Sequence, residues 1–149
     1  VTTRNEQNAV FSEACCGNQA ALGFILEYFA ICNVWDDLID RDNPVSDWEL
    51  NLAFYRALVT LPRNPFYQQH FAALSPIIES GIQNWWLANQ LENNEAPQLR
   101  EAANVLRVRV FDLVLKCAAL TGGILHARDI APKVAAVCYD ETIEQNEVK

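Results

Sequence analysis

The stretch NVWDDLIDRDNPVSDWE, residues 33–49, follows an almost wholly apolar run and holds five aspartates and a glutamate. Asp36 and Asp40 are four residues apart, so on a helix they share a face, with Asp37 beside them. The apolar positions Leu22, Ile25, Phe29 and Cys32 recur at helical spacing, and the next member of that stripe is Asp36. A carboxylate would then stand where the preceding turns fill a core, at a cost on the order of several kcal/mol if it were left unpaired. Aspartates at the C-terminal end of a helix also oppose the helix dipole, which favours cations there. A bound divalent cation would relieve both conflicts, and magnesium, a hard ion, suits carboxylate oxygens. On the competing reading the helix leaves the core near Trp35, and the aspartates stand in water or pair with Arg41.

The elements that would position these groups follow from periodicity and punctuation. Residues 5–16 read as a short helix stopped by Gly17, and residues 20–40 as a long one. Phe24, Tyr28, Ile31 and Trp35 add a second apolar stripe to the long helix, so it is expected to be central and largely buried. Its uncharged stretch, bracketed by Glu27 and Asp36, is too short to span a membrane. Pro44 marks a break, and Ser46-Asp47-Trp48-Glu49 has the form of a capping box that opens a third helix at about 47–61. Leu50, Phe54 and Leu58 are its expected inner stripe.

Asn64-Pro65 pairs a cap with a proline at the first helical position. Ser75-Pro76 repeats that pattern and predicts a kink or a new helix before the run ends near Asn93-Asn94. A helix over about 97–121 should stop at Gly122-Gly123, followed by a segment at about 124–141 interrupted near Pro132 and a frayed tail. Arg107 to Val110 alternates, but within a longer helical pattern. The expectation is all-α: one domain over 1–149, a bundle of about six helices.

At 149 residues, 51% hydrophobic and 20% charged, the chain can bury a core without staples and is globular. Its formal charge of −8 disfavours nucleic acid. The basic residues Arg100, Arg107, Arg109 and Lys116 read as a solvated helix face. The five cysteines contain no Cys-x-x-Cys, and with only His70 and His126 beside them no zinc site of ordinary spacing exists. Reduced thiols and a cytoplasmic location are expected. Residues 1–8 are polar and lack the basic-then-apolar order of a secretory leader.

His126-Ala127-Arg128-Asp129 reads as polar residues at a helix end, and His70 as a boundary histidine. Trp85 and Trp86 are adjacent, so on a helix they point about 100° apart and cannot both face one core. With Trp35 they are candidates for a pocket or an interface.

Asp36-Asp37-Leu38-Ile39-Asp40 resembles the DDxxD motif of class I isoprenoid synthases, the family of terpene cyclases and trans-prenyltransferases. That resemblance implies magnesium ions held by Asp36 and Asp40, with Asp37 auxiliary, and a substrate diphosphate bound through them. It also implies a second metal motif on another helix, for which Asn84, Ala88 and Glu92 have the spacing, with Ala88 where the family has a hydroxyl ligand. Arg107 and Arg109 would be candidates to bind phosphate, and aromatic rings such as Trp85 would stabilise a carbocation. The wider stretch from Asp36 to Tyr67 is similar to small proteins of tailed-phage genomes, which brings no activity with it and implies a host-cytoplasm location.

Two functions remain open. One is a small acidic interaction or accessory protein without catalysis, working through a protein partner or self-association, with no nucleic acid and no membrane. The other is a magnesium-dependent enzyme that ionises or hydrolyses a diphosphate ester at the aspartate cluster.

Overall fold

The computed structural model describes residues 3–108 and 110–139, and every regular element among them is helical. In chain order these are α1 (Arg4–Ala14), α2 (Gln19–Asp40), α3 (Asp47–Tyr55), a π-helical turn π1 (Arg56–Thr60), α4 (Pro65–Gln69), α5 (Phe71–Leu91), α6 (Pro97–Arg107), α7 (Val110–Gly122) and α8 (Ile124–Cys138). The all-α class holds, with eight α-helices among the described residues where about six were expected. Arg109 and the segment expected to fray from about 141 lie outside the described residues.

The additional helices come from two breaks. The first is at His70, where α4 ends (φ −113°, ψ 22°) and α5 starts, earlier than Ser75-Pro76 suggests. Pro76 lies inside α5 and forfeits only the bond to the Ala72 carbonyl; both residues are exposed, so water can satisfy that oxygen. The second break is at Val108 (φ −96°, ψ 22°), within the alternating run that the longer pattern had absorbed. Val105, Val108 and Val110 are β-branched and weaken helix there. Pro132, expected to interrupt the last helix, lies within α8, and its exposed position again lets water serve the freed Arg128 carbonyl.

Local caps form as the residue types dictate. Ser46 Oγ accepts from Glu49 N (3.1 Å) while Glu49 Oε2 accepts from Ser46 N (2.7 Å). Those bonds to Ser46 hold the Glu49 carboxyl below its ordinary range. Thr3 and Glu6 make the same reciprocal pair at the start of α1. The Asn64 side chain accepts from Tyr67 N at 3.0 Å, with Pro65 at the first helical position.

The chain divides into two compact units. One is Gln19–Phe71. In it α2 packs against α3, π1 and α4. Phe24 is fully buried, with its ring 4.9 Å from that of Tyr67 and 6.4 Å from that of Phe66. Asn64 Nδ2 donates to the Ala20 carbonyl at 2.9 Å, which ties α4 to the start of α2. The expectation that α2 is largely buried is corrected: Ala21, Phe24 and Ile25 are buried, the following turns are half-buried, and Leu38, Ile39 and Asp40 are exposed. Only its first turns have neighbours dense enough to exclude water.

A second correction concerns α3. Its inner stripe is Leu50, Ala53, Ala57 and Leu61, of which Ala53 and Leu61 are buried. Phe54 and Leu58, expected inside, are 61% and 73% exposed. Both stripes start at Leu50 and have helical spacing. The small alanines permit close approach of α2, and the large residues are turned outward.

The other unit joins α1 to the chain from Ala72 onward. In it α7 and α8 form a hairpin across Gly122-Gly123, and α1 lies against both. Gly123 has φ +88° and ψ 171°, a region essentially closed to residues with a Cβ. Phe11, Cys15, Val114, Cys117 and Val134 are fully buried here. Gln7 Nε2 donates to the Val137 carbonyl (3.4 Å), and Lys133 pairs with Glu13 (2.9 Å) at the surface.

Candidate functional site

The end of α2 carries the aspartates. Tyr28, Cys32 and Asp36 stand one turn apart, all three half-buried, and the Asp36 charge reaches Cys32. Burial, then the neighbouring Cys32, raises the Tyr28 hydroxyl far above its ordinary range. The Cys32 thiol is pushed up to about 11, first by burial, partly offset by its hydrogen bond with Tyr28, and raised further by the Asp36 charge. Both groups therefore keep their protons at neutral pH, and neither is an activated nucleophile.

Asp37 is half-buried and accepts from Asn43 Nδ2 at 3.0 Å, while Asp40 is exposed. The helix closes on Arg41, whose φ of +59° is the left-handed turn usual for the residue after a helix end. Its amide donates to the Asp37 carbonyl at 2.9 Å. Trp35 is half-buried.

On α5, Asn84 and Trp85 are half-buried, Trp86 is 54% exposed, and Ala88 is fully buried. The face shared by Asn84, Ala88 and Glu92 thus has its middle position against the interior. Glu92, just beyond the helix, is ion-paired with Arg107. The candidate metal ligand and the candidate phosphate-binding arginine occupy one another. Arg109 lies outside the described residues. Among the described residues no three His, Cys, Asp or Glu side chains converge as a metal-binding group.

The chain matches no family model, no curated protein and no solved structure. The five cysteines are free thiols. Burial raises Cys15 and Cys138 to about 12 and Cys117 further still. The His126 ring lies 3.0 Å, through Nε2, from the Ala14 carbonyl and braces the α7–α8 corner, a structural role. The His70 ring packs at a 54° tilt against Phe66, with 4.6 Å between ring centres. A groove of about 390 Å³ is lined by Ile77, Leu115, Lys116, Ala119, Ile124 and Arg128, and Arg128 is paired with Asp129.

The feature that spacing does not bring out is the outer face of α3 and π1. Trp48 (71% exposed), Phe54 (61%), Tyr55 (54%) and Leu58 (73%) lie on one side, Tyr55 seven residues after Trp48, and Leu58 four after Phe54 and three after Tyr55, with Asp47 and Asn51 between them. The signal available in the sequence was the competing stripe of small residues, Ala53 and Ala57, which can face inward only if the large ones face out.

Proposed function

We propose that this protein works by contact with another macromolecule through the outer face of α3 and π1. The observation that carries this is the exposure of four large apolar side chains on one helix face beside a buried stripe of small ones. Scattered apolar residues on a surface are ordinary, whereas several large apolar side chains gathered on one helix face mark an interaction surface. Burial of each such side chain in a partner would contribute about 1.5–3 kcal/mol. Catalysis is less well supported: the buried thiols are held protonated, and Glu92 is engaged by Arg107. No described helix is long and apolar enough to cross a membrane.

The test is the Phe54→Ser/Leu58→Ser double variant. Neither side chain fills the core, so the melting temperature should stay within a few degrees of the parent. Fluorescence of the apolar-surface dye bis-ANS should fall at least twofold. Unchanged dye binding with an intact fold would remove this reading.

A second reading keeps the aspartates as a magnesium site, supported by the observation that α2 extends through Asp40 and holds Asp36 and Asp37 half-buried. Magnesium with pyrophosphate should then raise the melting temperature saturably over an EDTA control, an effect of about 2.7 kcal/mol at a hundredfold excess over Kd. Asp36→Asn should abolish the rise.

A further inference from the structure

We infer that the partner of the α3 face is a cationic amphipathic helix, an inference that rests on the contact reading above and adds the partner's chemistry. The apolar stripe Trp48, Phe54, Tyr55 and Leu58 supplies anchors spaced over about three helical turns, the length over which an amphipathic helix presents its own apolar positions. The chain leading into this face is strongly acidic. Between residues 36 and 49 there are six carboxylates and one cation, Arg41. Asp40, Asp42, Asp47 and Glu49 are exposed. Asp47 stands in the first turn of α3 on the side of Phe54 and Leu58, and the Glu49 carboxylate folds back on Ser46 N at the same helix end, so the acidic groups adjoin the apolar stripe on one element.

Charge complementarity decides the occupant. A second copy of this face would bring the same acidic segment against itself, in a chain whose formal charge is −8. An acidic partner or a nucleic-acid backbone would meet the same repulsion. A helix with leucine-like anchors on one side and lysine or arginine along its borders meets apolar surface at the stripe and carboxylates at the rim. The rim carboxylates are solvent-exposed, so each pair with a partner cation is worth little alone. Together they set the sign of the partner's charge and a marked salt dependence.

The experiment titrates the full chain with three synthetic probes: a leucine–lysine helical peptide, its leucine–glutamate counterpart, and a polar lysine peptide without apolar anchors. Fluorescence anisotropy of the labelled peptide is read at low and high salt. The leucine–lysine helix should bind saturably at one per chain, at least about tenfold tighter than either control, with the difference shrinking at 1 M salt. Phe54→Ser/Leu58→Ser should weaken it about tenfold or more. The triple variant Asp42→Asn/Asp47→Asn/Glu49→Gln keeps the capping geometry at Ser46 and should weaken it several-fold. An equal charge change elsewhere, Glu79→Gln/Glu95→Gln/Glu101→Gln, should have little effect.

Equal binding of the lysine and glutamate helices, lost in Phe54→Ser/Leu58→Ser, would overturn the cationic-partner inference and leave the contact reading standing. Binding of the lysine helix that ignores Phe54→Ser/Leu58→Ser, or that falls as much in the Glu79/Glu95/Glu101 control, would overturn the inference as mere bulk attraction. A parent dimer dispersed by Phe54→Ser/Leu58→Ser in sedimentation would assign the face to a second copy and equally overturn it.

Discussion

One substitution, glycine to alanine, should have opposite signs at two helical glycines of this protein. Gly23 lies in the second turn of α2, is exposed, and has no atom nearer to a built Cβ than Asn64 Nδ2 at 4.0 Å. Alanine there should stabilise by about 0.5–1 kcal/mol, because glycine gives up more backbone freedom on folding. Gly122 ends α7, and the same Cβ would collide with His126 Cδ2 and meet His126 Cγ and Cys16 Sγ, each at 2.7 Å. Cys16 is exposed and can turn aside. His126 cannot do so freely, because one of its two contacts is at Cγ, close to the root of the side chain, and the ring is held by its hydrogen bond with the Ala14 carbonyl. Overpacking of this kind costs about 1–3 kcal/mol, which exceeds the propensity gain. Gly122→Ala should therefore lower stability by roughly 1–2 kcal/mol.

Urea unfolding followed by far-UV circular dichroism measures both changes. If two transitions resolve, each variant should shift the one belonging to its own unit. His126→Ala should remove most of the penalty when combined with Gly122→Ala, giving a coupling energy of about 1 kcal/mol or more. A Gly122→Ala variant as stable as the parent, or a double variant whose losses simply add, would refute the account of this corner.

Other outcomes follow from the same geometry. Asn64→Ala removes both the cap on Tyr67 N and the tie to the Ala20 carbonyl, and should cost about 2 kcal/mol in urea, whereas Asn64→Asp keeps the cap and should cost less. The buried thiols of Cys15 and Cys117 keep their protons to about pH 12 or beyond when folded but ionise near 9 when unfolded. Above that pH the unfolded chain binds fewer protons, so stability should fall from about pH 9 upward, by at most ~1.4 kcal/mol per pH unit for each thiol. A Cys15→Ala/Cys117→Ala variant should show a shallower decline in its urea midpoint between pH 8 and 10.5, and a flat parent profile would contradict this. Of the five cysteines, Cys16 is exposed, Cys32 and Cys138 are half-buried, and Cys15 and Cys117 are buried. A chromogenic disulfide reagent should titrate Cys16 rapidly in the native protein and all five only after denaturation, and peptide mapping that places the rapid label on Cys15 or Cys117 would refute the packing of α1.

The helix caps could be read from sequence because their chemistry is local. Ser46 with Glu49 and Asn64 with Pro65 satisfy amides within three residues, so the residue types suffice. The Gly122-Gly123 stop was legible for the same reason. The breaks at His70 and Val108 were not, because apolar periodicity runs through both and its interruption depends on packing. Nor could period alone choose between the stripe through Phe54 and Leu58 and the stripe through Ala53 and Ala57. Both are helical, and the choice rests on how closely α2 approaches, a property of the neighbouring helix. The ion pair that takes up Glu92 and Arg107 joins the ends of two helices, and the hydrogen bond from Asn64 to Ala20 spans more than forty residues of chain. Side-chain types fixed how α3 and α4 begin; only tertiary contact decided which face of α3 is spent on the core and which is left for something else to cover.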